Sequence, residues 1–176
     1  QTGRLHNIEF TMLEWYRPKS DYIESMRDTE SLIRRLCKAA GRDKPRFTRL
    51  SVEEAFRELA EIELEPLCAG LEPLRREAER LEIAYAESDS WNDLFQRLFI
   101  SLVEPELPTE EPLFLTDYPA EIVCLAKEKP GTPYRERWEL YWKGMELANC
   151  YSELVDPAAV RRLFKEEGAE KARIAA

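Results

Sequence analysis

A Lys143-Gly144 pair between two strand-like runs is the feature that most constrains the fold. Residues 138–142 and 145–149 are rich in aromatic and aliphatic side chains, and only two residues separate them. A two-residue connection with glycine at its second position is typical of a tight β-hairpin. The chain is therefore expected to contain an antiparallel sheet built around this hairpin.

Two further segments have the pattern of strands. Residues 113–116 form a short apolar run, which predicts a buried strand. Residues 6–16 alternate, and a period of two predicts that five side chains share one face: Ile8, Phe10, Met12, Glu14 and Tyr16. A carboxylate among aromatic side chains is unusual for a plain core, so this face is a candidate site.

The region between these strands is predicted to be a helical insert over about residues 20–104. Asp21 is placed to cap a helix over residues 22–40, Ser51 a helix to about residue 60, and Ser90 a third helix. Pro73 suits the first turn of another helix, which is expected to reach about residue 85, and Asp156-Pro157 begins the last one. This order of elements predicts a single α+β domain, an antiparallel sheet flanked by helices.

Composition excludes several classes of function. The 176 residues include 35 acidic and 26 basic side chains, and a net charge of −9 disfavours broad nucleic-acid binding. One histidine disfavours a zinc site or a Ser-His-Asp or Cys-His hydrolase. The four cysteines form no CxxC pair, which favours reduced thiols in a cytoplasmic protein. No apolar run approaches the ~20 residues of a transmembrane helix, so no membrane partner is expected.

Three runs occur in order along the chain: GRLHNIEFTMLEWYRP at residues 3–18, FLTDYPAE at 114–121 and WELYWKGMELANCYSEL at 138–154. Together they resemble the class II aminoacyl-tRNA synthetases of the lysyl subgroup, the first run corresponding to the second half of motif 2. The sequences EWYRP and KGMELAN resemble more narrowly the branch of that subgroup that attaches lysine to elongation factor P.

This resemblance implies the class II catalytic core as the fold and an ATP-dependent ligase as the function. Lysine or β-lysine would be activated as an adenylate with ATP and Mg²⁺ and then transferred to a lysine of elongation factor P. Two alternatives stay open: a fragment of a lysyl-tRNA synthetase that charges tRNA, and a non-catalytic remnant that binds ATP, lysine or a partner. Full-length members of the family are expected to be homodimers.

The resemblance also implies an ATP subsite in the first run. Phe10 would stack on the adenine, while Arg4, His6 and Asn7 would lie beside the nucleotide. The flat ring of Phe10 on the candidate face suits such stacking. Without the motif, a core role for Phe10 would be the favoured interpretation.

Carboxylates are implied for the amino acid and the metal. A substrate with two ammonium groups needs two anions, and a desolvated carboxylate rejects substrates that leave it unpaired. The resemblance assigns Glu14 to the α-amino group and Glu153 to the side-chain ammonium, with hydrogen bonds from Tyr16 and Asn149. It assigns Glu139 and Glu146 to Mg²⁺, which commonly takes one or two carboxylates together with phosphate oxygens. Cys150 replaces the family's usual glycine, which leaves the identity of the amino acid open.

Two features do not fit a complete enzyme. Three elements of the family are absent from the sequence: motif 1, the arginine at the start of motif 2, and the whole of motif 3. We therefore expect a catalytic core that is incomplete at both ends and not competent by itself. A basic cluster also stands out against the acidic background: Arg34, Arg35, Lys38, Arg42, Lys44, Arg46 and Arg49. It could dock an acidic partner. The favoured interpretation is structural: some of the cations complement the dipole at a helix C-terminus, and the others lie in a solvated loop.

Overall fold

The computed structural model describes residues 9–174 and, within them, all side chains except those of residues 166, 167 and 169–174. Nine regular elements lie in this range: α1 (Tyr22–Ala39), β1 (Thr48–Ser51), α2 (Val52–Ala60), α3 (Leu71–Arg80), α4 (Trp91–Leu98), β2 (Leu113–Pro119), β3 (Tyr134–Trp142), β4 (Met145–Tyr151) and α5 (Pro157–Ile174). Short 3₁₀ turns and a π-helical turn connect some of them. The predicted α+β class is confirmed.

The four strands form one mixed sheet in the order β1-β2-β3-β4. β2, β3 and β4 are antiparallel neighbours, as expected, but β1 pairs with β2 in parallel, with Thr48 opposite Leu113. The expectation of a purely antiparallel sheet is therefore wrong at this edge. A parallel pair needs a long crossover connection, and the helical segments between residues 51 and 113 supply it.

The predicted hairpin joins β3 to β4. Lys143 and Gly144 both have positive φ, 56° and 71°, which is the backbone of a type I′ turn and matches the twist of the strands. In the register of the two strands, Glu139 lies opposite Asn149 and Tyr141 opposite Glu146. The turn therefore brings four polar side chains to one face of the sheet.

The capping signals of the helices are confirmed with small shifts in their ends. Asp21 accepts the Glu24 amide over 2.8 Å, and Ser51 and Ser90 each form a reciprocal capping box. α3 ends at Arg80, earlier than expected, because Glu82 takes a left-handed conformation (φ 55°) and the Ile83 amide donates back to Ala78. After α4 the chain continues as a π-helical turn over Phe99–Val103.

The strand expected over residues 6–16 does not form within the described part of that segment. Residues 9–16 carry no strand hydrogen bonds, and the side chains of Phe10, Met12 and Tyr16 are between 70 and 80% exposed. Alternation predicts a face, but a strand also needs a partner for its amide and carbonyl groups. None of the described residues pairs with the outer edge of β4, so this segment runs along the surface without a ladder.

Each face of the sheet has its own core. The later helices of the insert, α2, α3 and α4, pack against one face, where Phe56, Phe95 and Leu115 are fully buried. α1 packs against the other face over Phe114 and Trp138. Trp138 donates its indole N–H to the carbonyl of Tyr22 over 2.7 Å, which fixes the beginning of α1 to the sheet. Among the helices described, none is long and apolar enough to cross a membrane.

Candidate active site

The candidate site lies on the face of the sheet that α2, α3 and α4 cover, where β3 and β4 meet the end of α4. Arg137, Glu139 and Tyr141 alternate along β3 and so share this face. Asn149 and Glu146 lie opposite them on β4. A sheet face that would otherwise be apolar thus carries a cluster of charged and hydroxyl groups.

Glu139 is the centre of this cluster. The residue is only 7% exposed, yet three donors reach its carboxylate. The hydroxyls of Tyr118 and Tyr141 both donate to Oε2, over 2.6 and 2.8 Å, and Arg137 donates to Oε1 over 2.6 Å. A buried carboxylate with this set of partners is held in one orientation beside the guanidinium.

The two tyrosines are donors with perturbed acidity. Burial, and after it the charge of Glu139, raises the pKa of Tyr118 far above its ordinary value and raises the pKa of Tyr141 in the same way. Both phenols therefore keep their protons at neutral pH. The guanidinium of Arg137 lies 4.9 Å from the centre of the Tyr118 ring, so the same arginine pairs with the carboxylate and stacks on its donor.

Glu146 is the more open carboxylate. It lies at the rim of a cleft of about 300 Å³ and accepts a hydrogen bond from the Asn149 amide over 3.2 Å. Desolvation in this cleft, followed by the charge of Glu139, raises the pKa of Glu146. Two carboxylates that share one cleft repel each other, and a cation between them would relieve that repulsion.

The cleft is bounded on its other side by the end of the insert. Phe99, Ile100 and Glu104 line this wall, while Arg137, Glu139 and Glu146 belong to the sheet wall. Its volume falls at the small end of the range for ligand pockets. One wall is thus largely apolar and the other charged.

The donor set fits a magnesium ion that shares its ligands with a substrate. Within the part of the chain that the structure describes, no group of three or more His, Cys, Asp or Glu side chains could hold a metal alone. Mg²⁺ is commonly bound by one or two carboxylates and completed by phosphate oxygens and water. Glu139 and Glu146 are the pair that could serve in this way.

Glu153 and its neighbours follow directly after β4. Glu153 is exposed, whereas Ser152 beside it is buried and accepts the Tyr22 amide over 3.0 Å. Burial, and then the charge of Glu153, raises the pKa of Tyr151. The carboxylate thus stands at the surface on a backbone that α1 holds in place.

Residues 3–18, the first of the three runs that resemble the family, contribute less to the described site. Phe10, Glu14 and Tyr16 are exposed, and none of them forms a hydrogen bond with β3 or β4 among the described residues. Arg4, His6 and Asn7 lie outside the described residues. The structure therefore brings Glu139, Glu146 and Asn149 together, while it leaves Phe10, Glu14 and Tyr16 on the surface.

Three residues of the cluster were missed by sequence reasoning: Tyr118, Arg137 and Tyr141. The period of two along β3 was the available signal for the second and third, since it places both on the face of Glu139. Tyr118 had no such signal. It follows Asp117, whose left-handed backbone (φ 60°) and the register shift beside it turn the phenol toward Glu139.

Comparison with known proteins identifies the family. The model of the family described as tRNA synthetases class II (D, K and N) matches residues 1–176. Three similar curated proteins are all named elongation factor P–(R)-β-lysine ligase. The protein of Erwinia tasmaniensis is 38% identical over 176 residues, which cover 98% of this chain and 52% of that protein.

The other two relatives give the same result. The Proteus mirabilis protein is 37% identical over 97% of this chain and 51% of its own length, and the Photorhabdus laumondii protein is 36% identical over 99% and 52%. The chain therefore spans about half the length of the curated relatives it matches. Since the family model covers every residue, this chain belongs to the class II tRNA synthetases of the D, K and N group.

Proposed function

We propose that this chain is part of the catalytic core of an ATP-dependent ligase that activates lysine or β-lysine and transfers it to a lysine of elongation factor P. The family membership supports the ATP-dependent activation, and the names of the three relatives support the acceptor. Those names also favour elongation factor P over tRNA. Because the relatives are about twice as long, their activity is carried over only as a proposal.

The observation that carries the proposal is the cluster of Glu139, Glu146 and Asn149 on one sheet face. Glu139 is buried and held by three donors, whereas Glu146 is open to the cleft. A carboxylate fixed in one orientation beside an open one is a suitable arrangement for a phosphate-bound cation. A solvated hairpin face would not bury Glu139 or surround it with donors.

The proposed reaction has two steps. An oxygen of the amino acid carboxylate attacks the α-phosphorus of ATP, and pyrophosphate leaves to give the aminoacyl adenylate. The amine of the acceptor lysine then attacks the carbonyl carbon, AMP leaves, and the amine loses a proton. Both steps depend chiefly on the position of the reactants and on charge neutralisation.

Mg²⁺ would neutralise the phosphate charge during the first step. Glu139 and Glu146 are the residues proposed to hold it. The carboxylate of Glu139 has about four lone-pair positions, and three donors use three of them, so one remains for a ligand. Glu146 is the more accessible of the two carboxylates.

The remaining assignments are proposals from the family resemblance. Glu153 would pair with the side-chain ammonium of the substrate, and Glu14 with its α-amino group, with Tyr16 and Asn149 as hydrogen-bond partners. Phe10 would support the adenine, with contacts from three residues outside the described range: Arg4, His6 and Asn7. A homodimer is proposed for the full-length protein.

The direct test is a transfer assay with a protein that contains this chain. Labelled lysine and labelled (R)-β-lysine are offered separately with ATP, and elongation factor P and tRNA are compared as acceptors. We expect label on elongation factor P, lost in Glu153→Gln and kept in Glu110→Gln, an exposed loop variant with the same change of charge. Label on tRNA alone would contradict the proposed acceptor.

A further inference from the structure

A second charged surface lies on α1 and the loop that follows it, on the face of the sheet opposite the cleft. Residues 27–49 carry eight basic and three acidic side chains, a net charge of +5, so the rest of the chain carries −14. We call five exposed members of this group, which lie in the last two turns of α1 and in the loop after it, the basic patch: Arg35, Lys38, Arg42, Lys44 and Arg46. Among the described residues, none of these five forms an ion pair, whereas Arg34 and Arg49 both pair with Glu30.

A favourable interaction with the dipole of α1 explains only part of the positive charge of the basic patch. Lys38 is the single basic residue in the last turn of α1. Arg42, Lys44 and Arg46 lie beyond the end of the helix, where the interaction with its dipole falls off within a turn. Three unpaired cations on an eight-residue loop of an acidic chain therefore need another explanation.

The loop that carries the patch is fixed at both ends. Gly41 ends α1 in a left-handed conformation (φ 67°), and the Arg42 amide donates back to Cys37 over 2.8 Å. At the other end, Phe47 stacks on Phe114 with 5.5 Å between ring centres, and the Arg34 guanidinium covers Phe47 at 5.1 Å. The cations are thus presented by an ordered surface and not by a loose tail.

The position of the patch excludes a role with small substrates. α1 begins beside Ser152 and the candidate amino-acid residue Glu153, and its 18 residues extend about 25 Å to the patch. A lysine-sized substrate bound beside Glu153 could not reach across this distance. A ligand of the patch that is also engaged in the reaction must be a macromolecule.

We propose that the basic patch docks an acidic face of the protein acceptor while the acceptor's lysine lies at the cleft; this rests on the function proposed above. Leu36, 58% exposed in the last turn of α1, provides an apolar contact among the cations, which is the composition of a protein interface. Two observations argue against RNA as the ligand of the patch. Phe47 is the only aromatic residue in 40–49, and its ring is stacked on Phe114, so it is not available to stack on a base. The net charge of −14 on the rest of the chain repels the RNA phosphates.

The test is equilibrium binding of elongation factor P to the chain, without ATP or lysine. The variant Arg42→Glu/Lys44→Glu/Arg46→Glu is compared with Arg57→Glu/Arg76→Glu/Arg161→Glu, which makes the same change of net charge at exposed positions elsewhere. Circular dichroism and melting curves establish that both variants are folded. We expect the patch variant to weaken binding about tenfold or more and to lose its salt dependence, and the control to stay within about threefold.

Three outcomes would overturn the proposal. They are equal losses in the two variants, no binding of elongation factor P by the folded chain, and a patch variant that loses binding of bulk tRNA but keeps elongation factor P. The last would assign the surface to RNA. None of these outcomes bears on adenylate chemistry, so the transfer assay above remains an independent test of the proposed function.

Discussion

The hydroxyl of Tyr118 donates to Oε2 of Glu139 over 2.6 Å, and this bond joins the end of one strand to the middle of its neighbour. Tyr118 is 3% exposed and Glu139 7%. The pair is therefore shielded from water, and a hydrogen bond of this length to a carboxylate belongs to the stronger class. It explains why a carboxylate can be kept buried in a sheet whose core is otherwise apolar.

We expect Tyr118→Phe to lower the free energy of unfolding by about 1–3 kcal/mol, because a buried carboxylate loses one of its donors. Tyr85→Phe is the matched control, since it removes a 2.8 Å bond between a phenol and Glu79 at the surface. The control is expected to cost at most about 0.5 kcal/mol. Urea denaturation at neutral pH measures both, and equal losses in the two variants would contradict the role given to Glu139.

Asp117 is expected to tolerate asparagine but not alanine. Its backbone is left-handed (φ 60°), and its carboxylate accepts from Tyr22 over 2.8 Å and from Lys129 over 2.9 Å. Asparagine tolerates this backbone and still accepts one bond, while alanine does neither. We expect Asp117→Ala to cost about 2–3 kcal/mol and Asp117→Asn about half of that, measured by thermal or urea unfolding. Equal costs would show that neither the backbone nor the retained bond matters.

The carboxylate of Glu146 should make the free energy of unfolding decrease as pH rises. Desolvation and the charge of Glu139 raise its pKa in the folded chain, so the folded state holds this proton more tightly than the unfolded state, whose pKa is about 4.3. Above that pH, the charged form is less favourable in the folded chain. We expect Glu146→Gln to match the wild type near pH 3 and to exceed it at pH 7 by at most about 1 kcal/mol.

Urea unfolding at the two pH values checks this expectation, with the loop variant Glu110→Gln as the control for removing one negative charge. A Glu146→Gln variant that is less stable than the wild type at pH 7 would show that the carboxylate is favourably paired. That outcome would remove the electrostatic reason for placing a cation in the cleft.

The capping box of α2 should have the opposite dependence on pH. The amide and hydroxyl of Ser51 donate to Glu54 and lower its pKa. The contribution of the Glu54 carboxylate to stability is therefore present above the unfolded pKa of about 4.3, and it is lost as pH falls through the lower pKa of the folded state. We expect Glu54→Gln to cost about 0.5–1 kcal/mol at pH 7 and little at pH 2. Glu58→Gln, exposed on the same helix, is the control, and a loss independent of pH would contradict this assignment.

Local signals predicted the elements well, and contacts between distant segments explain what was missed. The caps at Asp21, Ser51 and Ser90 and the turn at Lys143-Gly144 depend on a few adjacent residues, so the sequence alone predicts them. β1 has four residues and no alternation, and it forms only because β2 lies beside it after a long crossover. The segment 9–16 has the alternation of a strand but no partner among the described residues.

The candidate site divides in the same way. Glu139, Glu146 and Asn149 were assigned from the resemblance, and the register of β3 and β4 brings them to one face. The donors to Glu139 could not be assigned, because Tyr118 reaches it through a bulge that follows the left-handed Asp117. The roles proposed for Phe10, Glu14 and Glu153 stay predictions, since no contact of these side chains in the described structure tests them.

The central claim is that the cleft between Glu139 and Glu146 binds ATP together with Mg²⁺, and a calorimetric titration of ATP into a protein that contains this chain tests it most directly. The titration is made with (R)-β-lysine present, with and without Mg²⁺, for the wild type, Glu146→Gln and Glu110→Gln. We predict Mg²⁺-dependent binding by the wild type and Glu110→Gln, weakened at least about tenfold in Glu146→Gln. No Mg²⁺-dependent binding by the folded wild type, or equal binding by Glu146→Gln, would contradict the claim.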